Sequence, residues 1–274
     1  MIRARKRFGQ HFLEPAWQVK VVDACAVAPT DQVIEIGPGQ GAITDRLAPR
    51  VGRLLAVEVD RDLAAALEAR HLPGVTVHAG DVLAAGVDEV VAAWLEGAPA
   101  DGRLRVVGNL PYNISSPILY LLSRWAGRFP ALTDATVMLQ AEVAERLLAR
   151  PGTTEYGVLT VLTALTAEVT HLLDLPPGAF RPRPTVQSAL VRLRFRTPEP
   201  PVRHPALVSR IVRAAFTQRR KTIANGLRAL ALGDGLDATG ILTAAGLDPR
   251  RRPETLHLVE FSALADAWHG ATVV

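Results

Sequence analysis

Between about residue 30 and residue 195, short apolar runs alternate with helix-length segments, and this alternation restricts the fold more than any other feature of the chain. The runs are Gln32–Ile36, Arg53–Val59, Val75–His78, Leu104–Gly108, Ala135–Gln140, Val169–Leu175 and Ser188–Arg194. Between the early ones lie Ala42–Ala48, Leu63–Arg70 and Val87–Leu95, each long enough for a helix. Strands separated by helices pair in parallel, because a crossover returns the chain to the same edge of the sheet. The expected fold is therefore α/β with a mostly parallel seven-stranded sheet, covered on both faces. Ser116 and Pro117 read as an N-cap and first helical position, opening a helix through Trp125.

The pattern changes near Pro176. Eight of the 20 prolines fall between Pro176 and Pro205, where loops, one strand and a linker are expected. Beyond Pro205, Phe216, Ile223, Leu227 and Leu230 have the spacing of buried helix faces. The expected division is a sheet domain over 1–197, with 1–13 as a basic arm, and a small all-helical domain over 203–274.

Charge divides along the same lines. Residues 1–7 carry four cations and no acid, residues 8–179 carry 12 cations against 20 acids, and residues 180–274 carry 15 against 7. Two basic ends around an acidic middle suit a polyanionic partner such as nucleic acid. The cations expected to meet it are Arg5, Lys6 and Arg7 in the arm, then Arg213, Arg219, Arg220, Lys221 and Arg228. The longest uncharged run, Val106–Ser123, is interrupted by Asn109, Pro111, Asn113 and Pro117, so no membrane span is expected. A single cysteine, Cys25, permits no internal disulfide, which points to the cytoplasm.

A glycine loop, Gly37-Pro38-Gly39-Gln40-Gly41, follows the first long strand. Without a Cβ, such a loop lets backbone approach a ligand closely. Glu58 ends the next strand, where a carboxylate can accept from ribose hydroxyls, with Asp60 as a local competitor. Asp81 ends the third, placed to accept from an adenine amine with Val82 against the ring. The Gly-x-Gly-x-Gly spacing departs from the Gly-x-Gly-x-x-Gly of dinucleotide sites. A nucleoside cofactor other than NAD is expected.

Asn109-Leu110-Pro111-Tyr112 closes the fourth strand. An adenine N6 amine is a poor nucleophile because its lone pair is delocalised into the ring. Acceptors aimed at both N–H bonds, here the Asn109 side-chain oxygen and the Leu110 carbonyl, favour a more pyramidal nitrogen. Pro111 would fix the turn and Tyr112 would give the base a face to stack on.

Together with Arg7–Leu13, Glu35–Thr44, Asn109–Ser115, Met138–Ala144, Phe180–Ser188 and Phe216–Lys221, these motifs resemble the KsgA-type small-subunit ribosomal RNA adenine dimethyltransferases, relatives of the Erm resistance methyltransferases. The resemblance implies a Rossmann-like class I fold and S-adenosylmethionine as methyl donor, S-adenosylhomocysteine as product, and no metal. It implies that His11 and Leu13 border the cofactor and that Gly37 passes its methionine part. Glu58 would hold the ribose, Asp81 the adenine, and Asn109 would bridge cofactor and target. Tyr112 and Phe180 would sandwich the target base. The substrate implied is 16S rRNA in the 30S subunit or its precursor, where two adjacent adenosines of the 3′-terminal hairpin loop each receive two methyls from a monomeric enzyme. An Erm-type 23S rRNA methyltransferase shares the chemistry, and a non-catalytic RNA-binding or transcription-factor relative shares the fold. Phe216–Lys221 favours the small subunit over the first, and the intact motifs disfavour the second.

Overall fold

The computed structural model describes residues 11–99 and 102–272, so Arg5, Lys6 and Arg7 lie outside the described residues. The first half alternates as the apolar runs require: β1 (Phe12–Leu13), α1 (Pro15–Cys25), β2 (Gln32–Ile36), α2 (Thr44–Leu47), β3 (Arg53–Glu58), α3 (Arg61–Glu68), β4 (Val75–Ala79), α4 (Val87–Leu95), β5 (Leu104–Asn109), α5 (Ser115–Arg128) and β6 (Leu132–Gln140). Next come α6 (Ala141–Leu148), α7 (Val158–Ala164), β7 (Ala167–Leu175), β8 (Phe180–Arg181) and β9 (Ser188–Phe195). The chain finishes with α8 (Pro205–Phe216), α9 (Ile223–Gly233), α10 (Ala238–Ala244) and α11 (Leu258–Thr272).

Seven strands form one sheet in the order β4-β3-β2-β5-β6-β9-β7. The pairs β2–β3, β2–β5, β3–β4 and β5–β6 are parallel, while β6–β9 is antiparallel. All five residues of β2 are buried, as befits a central strand covered on both faces. The order reverses at β2, whose neighbours β3 and β5 lie on opposite sides; open α/β sheets bind ligands at the carboxyl ends of strands beside such a reversal. A separate two-stranded ribbon pairs Leu13 with Phe180 and Phe12 with Arg181. The ribbon and helices α1, α6 and α7 escape the sequence pattern. Two-residue strands are too short to show a period, and α1 buries only Val21, Val22 and Cys25.

The expected cap at Ser116 is not observed. A 3-10 turn at Tyr112–Ile114 leads into α5, which begins at Ser115. Pro117 then occupies the third helical position, where its missing N–H leaves no intrahelical bond unmade.

At the amino ends of the strands, Arg105 is 3% exposed. Its guanidinium donates to Asp134 Oδ1 at 2.8 Å, to Asp31 Oδ2 at 3.1 Å, and to the carbonyls of Cys25 and Ala26, both at 2.8 Å. Arg192 donates to the carbonyls of Ala24 and Cys25. Two cations thus serve the unpaired carbonyls at the C-terminus of α1, where the helix dipole is negative.

The chain separates into two compact units, one of Met1–Ala144 with Val169–Phe195 and one of Glu145–Glu168 with Arg196–Val274. A single break between 197 and 203 misses the segment 145–168, which belongs with the C-terminal helices. Tyr156 explains its placement: its hydroxyl donates to the Leu256 carbonyl at 2.7 Å, and its ring lies 6.3 Å from that of Phe216. The Gly152 N–H donates to the Glu254 carbonyl at 2.7 Å. In the same unit, a Cβ on Gly226 would come within 2.7 Å of the Ala215 carbonyl, so α8 and α9 pack through that glycine.

Candidate active site

A cleft of about 920 Å3, counting its open mouth, lies beyond the carboxyl ends of β2 to β5. Apolar side chains including Ile36, Ile43, Val57 and Val82 form much of its wall, and Glu35, Glu58, Asp81 and Asn109 supply polar groups. His11 and Leu13 also line it.

The glycine loop turns at Gly37 (φ 69°) and Gly39 (φ 59°), both on the cleft. A Cβ on Gly39 would stand 2.9 Å from the ring of Phe12, so only glycine leaves this cradle open. Gly41, expected on the cofactor, does not line the cleft. Its φ is 83°, in the region that favours glycine, and a Cβ there would come within 3.0 Å of Leu67 on α3.

Glu58 is 4% exposed, and both of its oxygens hold backbone: Oε2 accepts from Gly39 N–H and Oε1 from Asp60 N–H, each at 2.9 Å. The carboxylate thereby ties the glycine turn to the end of β3. Each oxygen retains a second lone pair for a ligand hydroxyl. Burial raises the Glu58 pKa against the lowering effect of those two N–H groups. Asp60, the rival for the ribose, does not line the cleft; its Oδ1 accepts from Asp62 N–H and caps α3. Asp81 is exposed and its Oδ1 accepts from Leu83 N–H at 2.9 Å, which orients the carboxylate at the rim; Val82 is buried beside it. This donor set fits an adenosyl group: paired acceptors for a diol, one acceptor for an amine, and apolar walls for a ring.

Asn109 ends β5, where Gly108 allows β2 to approach; a Cβ there would lie 2.9 Å from the Ile36 carbonyl. The Asn109 Nδ2 donates to the His11 carbonyl at 2.7 Å. A carbonyl can only accept, so this bond fixes which end of the amide is nitrogen. Leu110 N–H donates to the Met138 carbonyl at 3.2 Å, anchoring the next peptide to β6. Pro111 leads into the turn carrying Tyr112, whose hydroxyl is 2.7 Å from Ser188 Oγ. Burial raises the Tyr112 pKa, opposed by Ser188. The His11 ring stacks against Tyr112 with centroids 5.5 Å apart and planes 23° apart.

Phe180, expected beside the target base, does not line the cleft. It is 0% exposed and belongs to a core cluster with Leu13, Cys25, Leu175 and Leu190, held there by the β1–β8 pairing. The ring beside Tyr112 is that of His11.

The basic cluster also divides. Arg219 donates to the carbonyls of Thr154 and Tyr156 and so holds the loop before α7, a structural task distinct from the phosphate contact expected of it. Arg220 and Lys221 are exposed, and Arg228, also exposed, donates to Asn225 Oδ1 at 3.1 Å. Arg213 is exposed on the last turn of α8.

Two residues gain roles that sequence reasoning missed. Glu35 is 1% exposed, accepts from the Thr44 hydroxyl at 2.6 Å and lines the cleft. Burial pushes its pKa up to about 7, with Thr44 opposing and the nearby Asp45 and Glu58 charges adding to the rise. Its signal was an acid inside a strand otherwise built for burial on both faces. Ser188, which holds the Tyr112 hydroxyl, opens β9 at the end of the Phe180–Ser188 motif.

Comparison with known proteins agrees with this geometry. Residues 1–264 match the family described as ribosomal RNA adenine dimethylase. A protein named ribosomal RNA small subunit methyltransferase A from Aromatoleum aromaticum is 45% identical over 267 residues, covering 96% of this chain and 94% of its own. The protein of the same name from Syntrophotalea carbinolica is 43% identical over 266 residues, covering 96% of each. Among solved structures, a dimethyladenosine transferase from Plasmodium falciparum shares the fold with a TM-score of 0.75 at 22% identity, covering 93% of this chain and 96% of that one. The 23S rRNA methyltransferase ErmE aligns with a TM-score of 0.63 at 25% identity, covering 93% and 98%. The chain belongs to the ribosomal RNA adenine dimethylase family.

Proposed function

We propose that this protein transfers methyl groups from S-adenosylmethionine to N6 of two adjacent adenosines in the 3′-terminal hairpin loop of 16S rRNA, within the 30S subunit or its precursor. The relatives' shared name supports the small-subunit substrate. The observation that carries the chemistry is the bond from Asn109 Nδ2 to the His11 carbonyl, which leaves Asn109 Oδ1 as the acceptor for a target amine.

Glu58 and Asp81 would hold the ribose and adenine of the cofactor, and Gly37 and Gly39 would pass its methionine part. When bound, S-adenosylmethionine supplies an electrophilic methyl carbon on a sulfonium sulfur. The chain's residues prepare the other partner. Tyr112, tethered through its hydroxyl to Ser188, offers its face to the base. Asn109 Oδ1 and the Leu110 carbonyl accept the two N–H bonds of the amine, and this holds its lone pair out of conjugation. Positioning then supplies much of the acceleration. The methylated nitrogen is acidic enough to release its proton to water, so no strong base is needed. The exposed Arg220, Lys221 and Arg228 would contact RNA phosphates.

Radiolabelled methyl transfer to 30S particles from a strain lacking the modification tests the reading. The expected product is N6,N6-dimethyladenosine at the two hairpin-loop positions. Label at other positions of the particles, or none, would overturn it.

A further inference from the structure

Glu35 has no part in the transfer chemistry proposed above, yet it lines the cleft with only 1% of its surface exposed. A carboxylate taken out of water is costly unless a cation or several donors answer it. Its donors come from one residue, the Thr44 hydroxyl at 2.6 Å and the Thr44 backbone N–H. Among the described residues no Lys or Arg lines the cleft, whose other titratable groups are Glu58, Asp81, His11 and Tyr112. The charges of Asp45 on α2 and Glu58 on β3 add to the cost of ionising Glu35. The Cys25 thiol on α1 stays neutral beside it, because burial pushes its pKa up to about 12. S-adenosylmethionine bears one positive charge more than S-adenosylhomocysteine, on the sulfonium sulfur. We infer that Glu35 makes the cleft read that charge: it gives up a proton when the cationic donor binds, and so favours the donor over the spent product. The inference rests on the proposed use of S-adenosylmethionine and assigns a specificity-determining residue to it.

In the cofactor-free protein, burial keeps part of the Glu35 population protonated near neutrality, with a pKa of about 7. A bound cation favours the ionised form, and the proton leaves for solvent. Once the methyl has moved to the amine, the sulfur is a neutral thioether, and Glu35 recovers a proton from solvent. The sign follows: binding of the donor strengthens as pH rises toward 7, and binding of the neutral product does not. Opposite unit charges about 10 Å apart at an effective dielectric of about 20 change an equilibrium roughly tenfold, or about one pKa unit. A downward shift of about one unit on binding releases about half a proton at pH 6.5. It also strengthens donor binding about sixfold between roughly pH 5.5 and 7.5.

Calorimetry of wild type, Glu35→Gln and Thr44→Val decides the matter. The ligands are S-adenosylmethionine, S-adenosylhomocysteine and sinefungin, an analogue in which a carbon bearing an ammonium group replaces the sulfonium. Titrations in buffers of different ionisation heat count the protons released. Glu35→Gln is the baseline, because each ligand's own amine titrates alike in both proteins. With either cationic ligand, wild type is expected to release about half a proton more than Glu35→Gln at roughly pH 6.5, and with S-adenosylhomocysteine no excess. The cationic-to-neutral affinity ratio should rise about sixfold more in wild type between roughly pH 5.5 and 7.5. Thr44→Val removes a donor that lowers the Glu35 pKa, so the maximum of proton release should move to higher pH. A carboxylate with a purely structural role would not produce that shift. The wild-type contrast between sinefungin and S-adenosylhomocysteine, with its displacement in Thr44→Val, decides the matter even where Glu35→Gln does not fold. Cationic ligands that bind wild type with no excess proton and a flat ratio would overturn the inference and leave the cofactor assignment standing. Equal proton release with the neutral ligand would do the same. If none of the three ligands binds wild type, the cofactor assignment fails and the inference falls with it.

Discussion

A Glu58→Gln substitution keeps the side chain's shape and replaces one carboxylate oxygen with an NH2 group. In the folded protein those oxygens face two backbone donors, Gly39 N–H and Asp60 N–H, each at 2.9 Å. Glutamine can satisfy only one. The other donor then meets a second donor in a pocket where the side chain is 4% exposed. Losing one charge-assisted bond of this kind costs about 1.5–3 kcal/mol. For a protein of this size, that is a fall in Tm of roughly 3–5 °C. With the proposed anionic acceptor for the ribose hydroxyls gone, cofactor affinity should fall roughly ten- to hundredfold. Both readings belong at about pH 8, well above the ordinary carboxylate range, because burial raises the Glu58 pKa. Asp81→Asn is the matched control. Its Oδ1 accepts only from Leu83 N–H at the exposed rim, and an asparagine oxygen makes the same turn. That variant should keep its Tm and lose about fivefold in affinity, the value of one ordinary hydrogen bond. Calorimetry and thermal unfolding report the two quantities separately. A Glu58→Gln protein with wild-type Tm and affinity would refute the argument, and so would Asp81→Asn losing as much Tm as Glu58→Gln.

Asn109→Ala should lower single-turnover methyl transfer about a hundredfold or more while leaving RNA binding intact, since the amide oxygen is proposed to act on the amine and not on the RNA backbone; filter binding and transfer rates on the same preparation check this. Glu35 has a folded pKa of about 7 against an ordinary 4.5, so the stability it contributes is present below pH 4.5 and lost as pH rises through 7. Relative to Glu35→Gln, the cofactor-free wild type should therefore weaken by about 3 kcal/mol between pH 4.5 and 8, and denaturant curves running in parallel across that range would remove the effect. Replacing Arg220 and Lys221 together with Ala should lower the log–log salt slope of 30S binding by about 0.7–0.9 for each phosphate no longer neutralised, with cofactor affinity unchanged. Arg219→Ala should act differently, lowering Tm through the freed Thr154 and Tyr156 carbonyls.

The seven sheet strands were legible because each is a run of apolar residues bounded by a turn, and none shifts by more than three residues at either end. Gly37, Gly39, Glu58 and Asp81 were legible as positions on strand ends, since a parallel sheet brings successive carboxyl ends to one edge. What the sequence concealed depends on pairings between distant segments. Phe180 reads as a ring for the target base until the ribbon with Leu13 draws it into the core. Arg219 reads as one more surface cation until the loop carrying Thr154 and Tyr156 folds beneath it. Segment 145–168 reads as part of the sheet domain because it lies between two sheet strands in the chain, although its packing places it elsewhere.

The Arg105 guanidinium has a consequence for how the sheet unit opens. It is bonded to the end of α1, to Asp31 beside β2 and to Asp134 on β6, while belonging itself to β5. Detaching any one of these elements would strand part of a buried charge, and breaking such a pair costs about 3–5 kcal/mol. Fraying by single elements at this edge is therefore suppressed, and the four should open as one cooperative block. In hydrogen exchange, amides around Val106 and Ala135 should be released together, close to the free energy of global unfolding. At the other end of the same strands, the exposed Asp81 turn is closed by local bonds alone, from Leu83 N–H to its Oδ1 and from Ala84 N–H to its carbonyl, and should exchange orders of magnitude sooner. One sheet thus carries a stiff root and a compliant rim.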